Sequence, residues 1–152
     1  GDTPGTLSEA AGPGPFEILE ARKLIEGETC ALAAQRISDA QLRRLQELLD
    51  DMREENRRET ITEQADEKFH CLIAEAAGNS ALTATITWLW QLRNESEIST
   101  RFHQRVREEG TRPIVADHQA ILDALGRRDP DASRAAMTRH LERVIATLLE
   151  EE

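Results

Sequence analysis

The chain is poor in what most other fold classes need. Aromatic residues make up 3% of its 152 residues, and no segment alternates apolar and polar residues as a half-buried strand would. No run approaches the roughly 18 apolar residues of a membrane span, so no membrane partner is expected. The N-terminus lacks a charged start followed by an apolar stretch, so no signal peptide is read there. There are only 2 cysteines, Cys30 and Cys71. In a domain of this size they read as reduced thiols of a cytoplasmic protein, not as a disulfide framework. Basic charge is also short: 19 Lys and Arg stand against 29 Asp and Glu, for a net charge of −10. The pairs Arg43–Arg44, Arg57–Arg58 and Arg127–Arg128 are interleaved with acids and read as solvated helix faces. A phosphate-neutralising face is missing, so nucleic acid is not an expected partner of this segment.

Glycine and proline are scarce beyond the start. Residues 1–15, GDTPGTLSEAAGPGP, contain half of the 8 glycines and three of the 5 prolines. They read as a flexible linker, and a chain that opens on a linker is expected to have been separated from a partner domain. From Phe16 on, Ala, Leu, Glu and Arg dominate and apolar residues recur at helical spacing, which predicts an all-α domain over residues 16–152. A first helix is expected at about 16–26, broken or kinked by Gly27, and a second at about 28–36. Ser38 with Gln41, and Thr60 with Glu63, read as capping boxes. Gly78 and Gly126 read as helix ends, and Asp129–Pro130 as a helix start. Residues 100–110 read as a polar connection carrying Arg101, His103 and Arg105. The expected count is six or seven helices.

Set against that apolar periodicity are four polar side chains that fall on inward faces. Asp66 and His70 are four apart, on the helical face that continues through Phe69, Ile73 and Ala77. His118 lies in line with Val115, Ile121, Leu122 and Leu125, and His140 with Ala136, Met137, Val144 and Leu148. One inward histidine is ordinarily a hydrogen-bonded core residue. A carboxylate and three imidazoles on three helices would cost several kcal/mol if buried unpaired, so a shared partner is expected. A divalent metal is the simplest one, Zn or Ni in the first place. Cys71 follows His70 directly and is rotated away by about 100°, so it is not expected to join them.

The segments EARKLIEGETCALAA, DEKFHCLIAEAAGN and DHQAILDALGRRDPDASRAAMTRHL together resemble the FadR C-terminal domain (FCD) of GntR-family bacterial transcription regulators, over about residues 16–149. Asp-x3-His is followed by Ala-Gly-Asn, a later His opens an apolar helix ending in Gly-x-x-Asp, and a final His lies further on. The resemblance implies an antiparallel helical bundle that dimerises and takes a small carboxylate effector. It implies metal binding through Asp66, His70, His118 and His140. It also implies that a winged helix-turn-helix, absent from this chain, binds DNA. The Arg of Glu-Ala-Arg matches Arg22, which in relatives reaches the effector's carboxylate. Read on its own, Arg22 sits beside the stripe of Leu19 and Ile25 and could equally snorkel from the bundle edge. Arg93 is a candidate second cation for the effector or a surface residue, and Asn79 a candidate effector contact or helix cap. Trp88 and Trp90, two apart, cannot both face the core; one is expected inside and the other over the pocket or a dimer interface.

Two other classes compete. A metalloenzyme is the first, because Glu67-x-x-His70 is half of a di-iron motif. The positions that would complete it are Val115 and Met137, and no His-Glu-x-x-His or activated nucleophile is present, so an enzyme is not expected. A purely structural dimerisation module, stapled by the ion, is the second. The reading preferred is a cytoplasmic metal- and effector-binding sensor domain, homodimeric, acting on DNA only through the missing N-terminal domain.

Overall fold

The structure, a computed structural model, describes residues 12–58 and 64–150. Among the described residues every regular element is a helix: α1 (Pro15–Arg36), α2 (Asp39–Arg58), α3 (Gln64–Ala76), α4 (Ser80–Glu95), α5 (Glu97–Glu108), α6 (Val115–Gly126) and α7 (Pro130–Glu150). The expected all-helical bundle is what the chain forms.

Local chemistry sets the boundaries. Ser38 and Gln41 cap α2 reciprocally, with each side chain accepting from the other's backbone N–H at 3.0 Å. Gly78 leaves α3 at φ +68°, a left-handed turn that glycine takes without a Cβ penalty. Asn79 Oδ1 then accepts from the N–H of Ala81 and Leu82 at the start of α4. Asp129 Oδ1 accepts from Ala132 N–H at the start of α7, whose first residue is Pro130. The pair Thr60–Glu63 lies outside the described residues, as do residues 1–11 of the expected linker; Pro15, placed in that linker, is already the first residue of α1.

Two expectations are corrected. Gly27 does not break the first helix: α1 runs unbroken from Pro15 to Arg36. A Cβ on Gly27 would come within 2.8 Å of Thr138 Oγ1, so the glycine lets α1 lie close against α7, its most extensive packing partner. Nor are residues 100–110 a polar connection. They lie mostly in α5, started by Ser96 Oγ and held by Phe102 and Val106, which are four apart and buried. The buried stripe of that helix is narrow, Ser99 with Phe102 and Val106, and most of its remaining residues are exposed.

The core runs through Leu19, Cys30 and Ala33 of α1, Leu45, Leu49 and Met52 of α2, Phe69 and Ile73 of α3, Ile121 and Leu125 of α6, and Met137 and Leu141 of α7. A smaller cluster joins Trp90 and Ile86 of α4 to Ala74 of α3. Trp90 is the inward tryptophan, and Trp88 is 55% exposed. Both thiols are free, Cys30 buried and Cys71 half-buried. No helix is long and apolar enough to cross a membrane among the described residues.

Candidate metal centre and its anion cavity

Three helices bring four ligand-type side chains to one point. α3 supplies Asp66 and His70 one turn apart, α6 supplies His118 and α7 supplies His140. One donor atom from each lies within 4.8 Å of all the others. The three imidazoles are buried, and Asp66 keeps 15% of its side chain exposed. Asp66 Oδ1 is 2.8 Å from His118 Nε2 and 3.2 Å from His70 Nε2.

The far nitrogen of each ring is held. His70 Nδ1 meets Glu26 Oε1 at 2.6 Å, His118 Nδ1 meets the Ile114 carbonyl at 2.7 Å, and His140 Nδ1 meets Asp117 Oδ2 at 3.0 Å. Two carboxylates and a carbonyl can only accept, so each ring places its proton on Nδ1 and turns Nε2 inward. His70 Nε2 is buried there without a hydrogen-bond partner. Three nitrogen lone pairs and a carboxylate then face one another in a largely buried space, an arrangement that calls for a cation. Acceptors on the far nitrogens are also the outer shell that metal-bound histidines ordinarily have. The residues fit a divalent ion such as Zn or Ni.

The charges agree with this geometry. Burial raises the Glu26 carboxyl, but Arg22 and His70 outweigh it and bring it down to about 2. Burial raises Asp66 too, and the close His118 and His70 imidazoles reverse that, holding it well below the usual carboxylate range. Burial lowers His70, while Glu26 and Asp66 raise it overall. Burial depresses His140 to about 4, against the pull of Asp117 and with the help of the other two imidazoles.

Beside the four ligands lies a cavity of about 90 Å³, several times the space one water needs. Asp66 and His140 form part of its wall. Arg22, Arg93, Arg107 and Arg112 also line it, and Asp66 is the one acid among its lining residues. In a chain of net charge −10 this is a local reversal of sign. His103 lines it as well, its imidazole pushed down to about 3 by burial and by Arg93, Arg22 and Arg107. Leu19, Val144 and Leu148 add apolar lining. A cationic pocket with an apolar wall suits a small organic anion.

The FCD domain pattern matches residues 17–143. The chain belongs to the FCD domain family of GntR-type regulators. This FCD domain is 31% identical over 144 residues to the Uxu operon regulator of Haemophilus influenzae, covering 94% of the chain and 54% of that protein. It is 33% identical over 144 residues to the Exu regulon transcriptional regulator of Escherichia coli, covering 94% of the chain and 55% of that protein. The chain thus spans about half the length of the curated relatives it matches. Among solved structures it superposes on GntR of Streptococcus agalactiae with a TM-score of 0.70 at 24% identity, over 86% of this chain and 57% of the other.

Within the FCD domain, Asp66, His70, His118 and His140 converge as a set. Arg22 reaches the cavity wall, with its Nε bound to Glu26 Oε2 at 2.6 Å and its guanidinium 4.1 Å from the centre of the Trp90 ring. Arg93 stands on the same wall, 5.1 Å from that ring. Asn79 does not reach the cavity; it is an exposed cap, its carbonyl oxygen engaged by α4. Cys71 packs against the Trp90 cluster, apart from the ligands. His103, read as part of a solvated loop, faces the cavity because α5 is a helix. Sequence reasoning missed Glu26, Asp117, Arg107 and Arg112. Glu26 carried a signal in its four-residue spacing from Arg22, on one face of α1. Asp117 carried none, since its partner is 23 residues away on another helix.

Proposed function

We propose that this FCD domain is the ligand-sensing and dimerising half of a GntR-type transcription regulator, binding a divalent metal and a small organic acid. The observation that carries the reading is the adjacency of two features: four converging ligand atoms, with the outer nitrogens of the three imidazoles already held, and a cavity lined by arginines. Asp66, His70, His118 and His140 would hold the ion. When bound, it supplies a positive charge with positions left for a carboxylate. Arg22 and Arg93, stacked on Trp90, are the cations that would pair with the acid, in charge-assisted contacts worth roughly 1.5–3 kcal/mol each. Asn79 has no part in this reading. A metalloenzyme is less well supported, since the relatives' names are those of transcriptional regulators.

The dimer is part of the proposal. Leu24 is 66% exposed on α1 and Trp88 is 55% exposed on α4, apolar residues that a second copy would cover. DNA would be bound by a winged helix-turn-helix elsewhere in the full protein, and the reading places the whole in the cytoplasm.

Native mass spectrometry of protein purified without chelator tests this in one spectrum. The expected result is about one Zn or Ni per chain in a dimer, with the metal lost in His118→Ala and in His140→Ala. A metal retained by the double variant would displace the site, and a clean monomer would remove the dimerising role.

A further inference from the structure

Glu26 is 2% exposed and accepts a hydrogen bond on each oxygen, both at 2.6 Å: Arg22 Nε on Oε2 and His70 Nδ1 on Oε1. The two donors belong to different sites. Arg22 is a cation of the cavity wall, and His70 turns its Nε2 toward the ligand cluster. Trp90 completes the unit, since the Arg22 guanidinium lies 4.1 Å from its ring centre and the His70 ring 5.4 Å. Asp117 is the contrast. It holds His140 in the same manner, but its second partner is Arg143, whose side chain is 53% exposed.

We infer that Glu26 is a positioning residue that couples the anion cavity to the metal centre. One oxygen fixes the ring and tautomer of His70, and the other divides the same negative charge with Arg22. In a dry interior this charge acts strongly on both neighbours. Positive charge at Arg22 and positive charge beyond His70 therefore compete for Glu26. An anion that neutralises Arg22 ends the competition and leaves Glu26 fully to His70, so it tightens the ion. Linkage makes the effect mutual: the ion tightens the anion by the same factor, through Glu26 and without the two ligands having to touch.

This rests on the sensor reading, and zinc alone can test it. Zinc affinity is measured at about pH 8, where free imidazole is neutral, by competition with a chromophoric chelator. The proteins are wild type, Glu26→Gln, Arg22→Gln, the double variant and Asp117→Asn, each checked for helicity. Glu26→Gln is expected to weaken zinc about 10- to 100-fold, the size of an outer-shell loss. Arg22→Gln is expected to tighten zinc about fivefold or more, a typical coupling, and to change it less than about twofold when Glu26 is already Gln. Asp117→Asn should weaken zinc while leaving the Arg22→Gln effect intact. Should Glu26→Gln fail to fold, Glu26→Asp, too short to reach both partners, replaces it in the cycle. An Arg22→Gln effect of equal size in both backgrounds, or Glu26→Gln with wild-type affinity, overturns the coupling while the sensor reading stands. A wild-type protein without zinc affinity overturns both.

Discussion

At the scale of single residues, the centre is a set of histidines whose protonation is decided by what holds their far nitrogens. His140 is depressed to about 4 and His103 to about 3, against an ordinary 6.5. The unfolded chain therefore binds protons at these two positions before the folded one does. Stability in chelator should fall as pH drops from about 6.5 toward 4, because the unfolded state gains protons first. His70 acts the other way: its folded value is raised, so its contribution is complete below about 6.5 and fades as pH rises through the raised value. Two depressed groups against one raised group leave the acid loss dominant. Each depressed imidazole costs about 2 kcal/mol between pH 7 and pH 5. Thermal melts in chelator should show a lower Tm at pH 5 than at pH 7, and His103→Gln should remove half or more of that difference. A Tm that rises on acidification would mean that His70 outweighs the other two.

At the scale of elements, the contact of α1 against α7 is the most extensive in the bundle, and it brings Arg22 and His140 to the wall of one cavity. Gly27 permits it, since an added Cβ would meet Thr138 Oγ1 at 2.8 Å. Alanine in a helix interior is favoured over glycine by about 1 kcal/mol, which opposes the clash. Urea unfolding should therefore show Gly27→Ala alone gaining little or losing stability. In a Thr138→Ala background the same change should gain close to the full 1 kcal/mol. Equal gains in both backgrounds would show that Gly27 is not a packing residue. This element also marks what the sequence could reveal. The helices of Asp66, His70, His118 and His140 were legible because each ligand interrupts a regular apolar stripe, and stripes are local. Caps at Ser38, Gly78 and Asp129 were legible for the same reason. Gly27 was misread because a breaker and a close-packing glycine look alike until the facing helix is known. Residues 97–108 were misread because that helix's buried face is only Ser99, Phe102 and Val106, and the first of these is polar. The held nitrogens were illegible for a deeper reason: Glu26 and Asp117 act across 44 and 23 residues of chain, and spacing does not encode such pairs.

At the scale of the molecule, the described residues of an acidic bundle form a basic cavity next to a cluster of metal-type ligands. The apolar pattern conveyed the bundle, and the four inward polar residues conveyed the centre. Arg107, in the last turn of α5, and Arg112, in the α5–α6 connection, were hidden, because each looks like a surface residue in sequence. The central claim is that the ion and an organic acid are sensed together. It is tested most directly by calorimetric titration of hydroxy-, keto- and sugar acids into metal-loaded and chelator-stripped protein. At least one acid should bind the loaded protein and emerge chemically unchanged, bind the stripped protein about tenfold or more weakly, and lose affinity in Arg22→Ala. An acid bound equally well with and without the ion, or turnover of any member of the panel, would contradict the account.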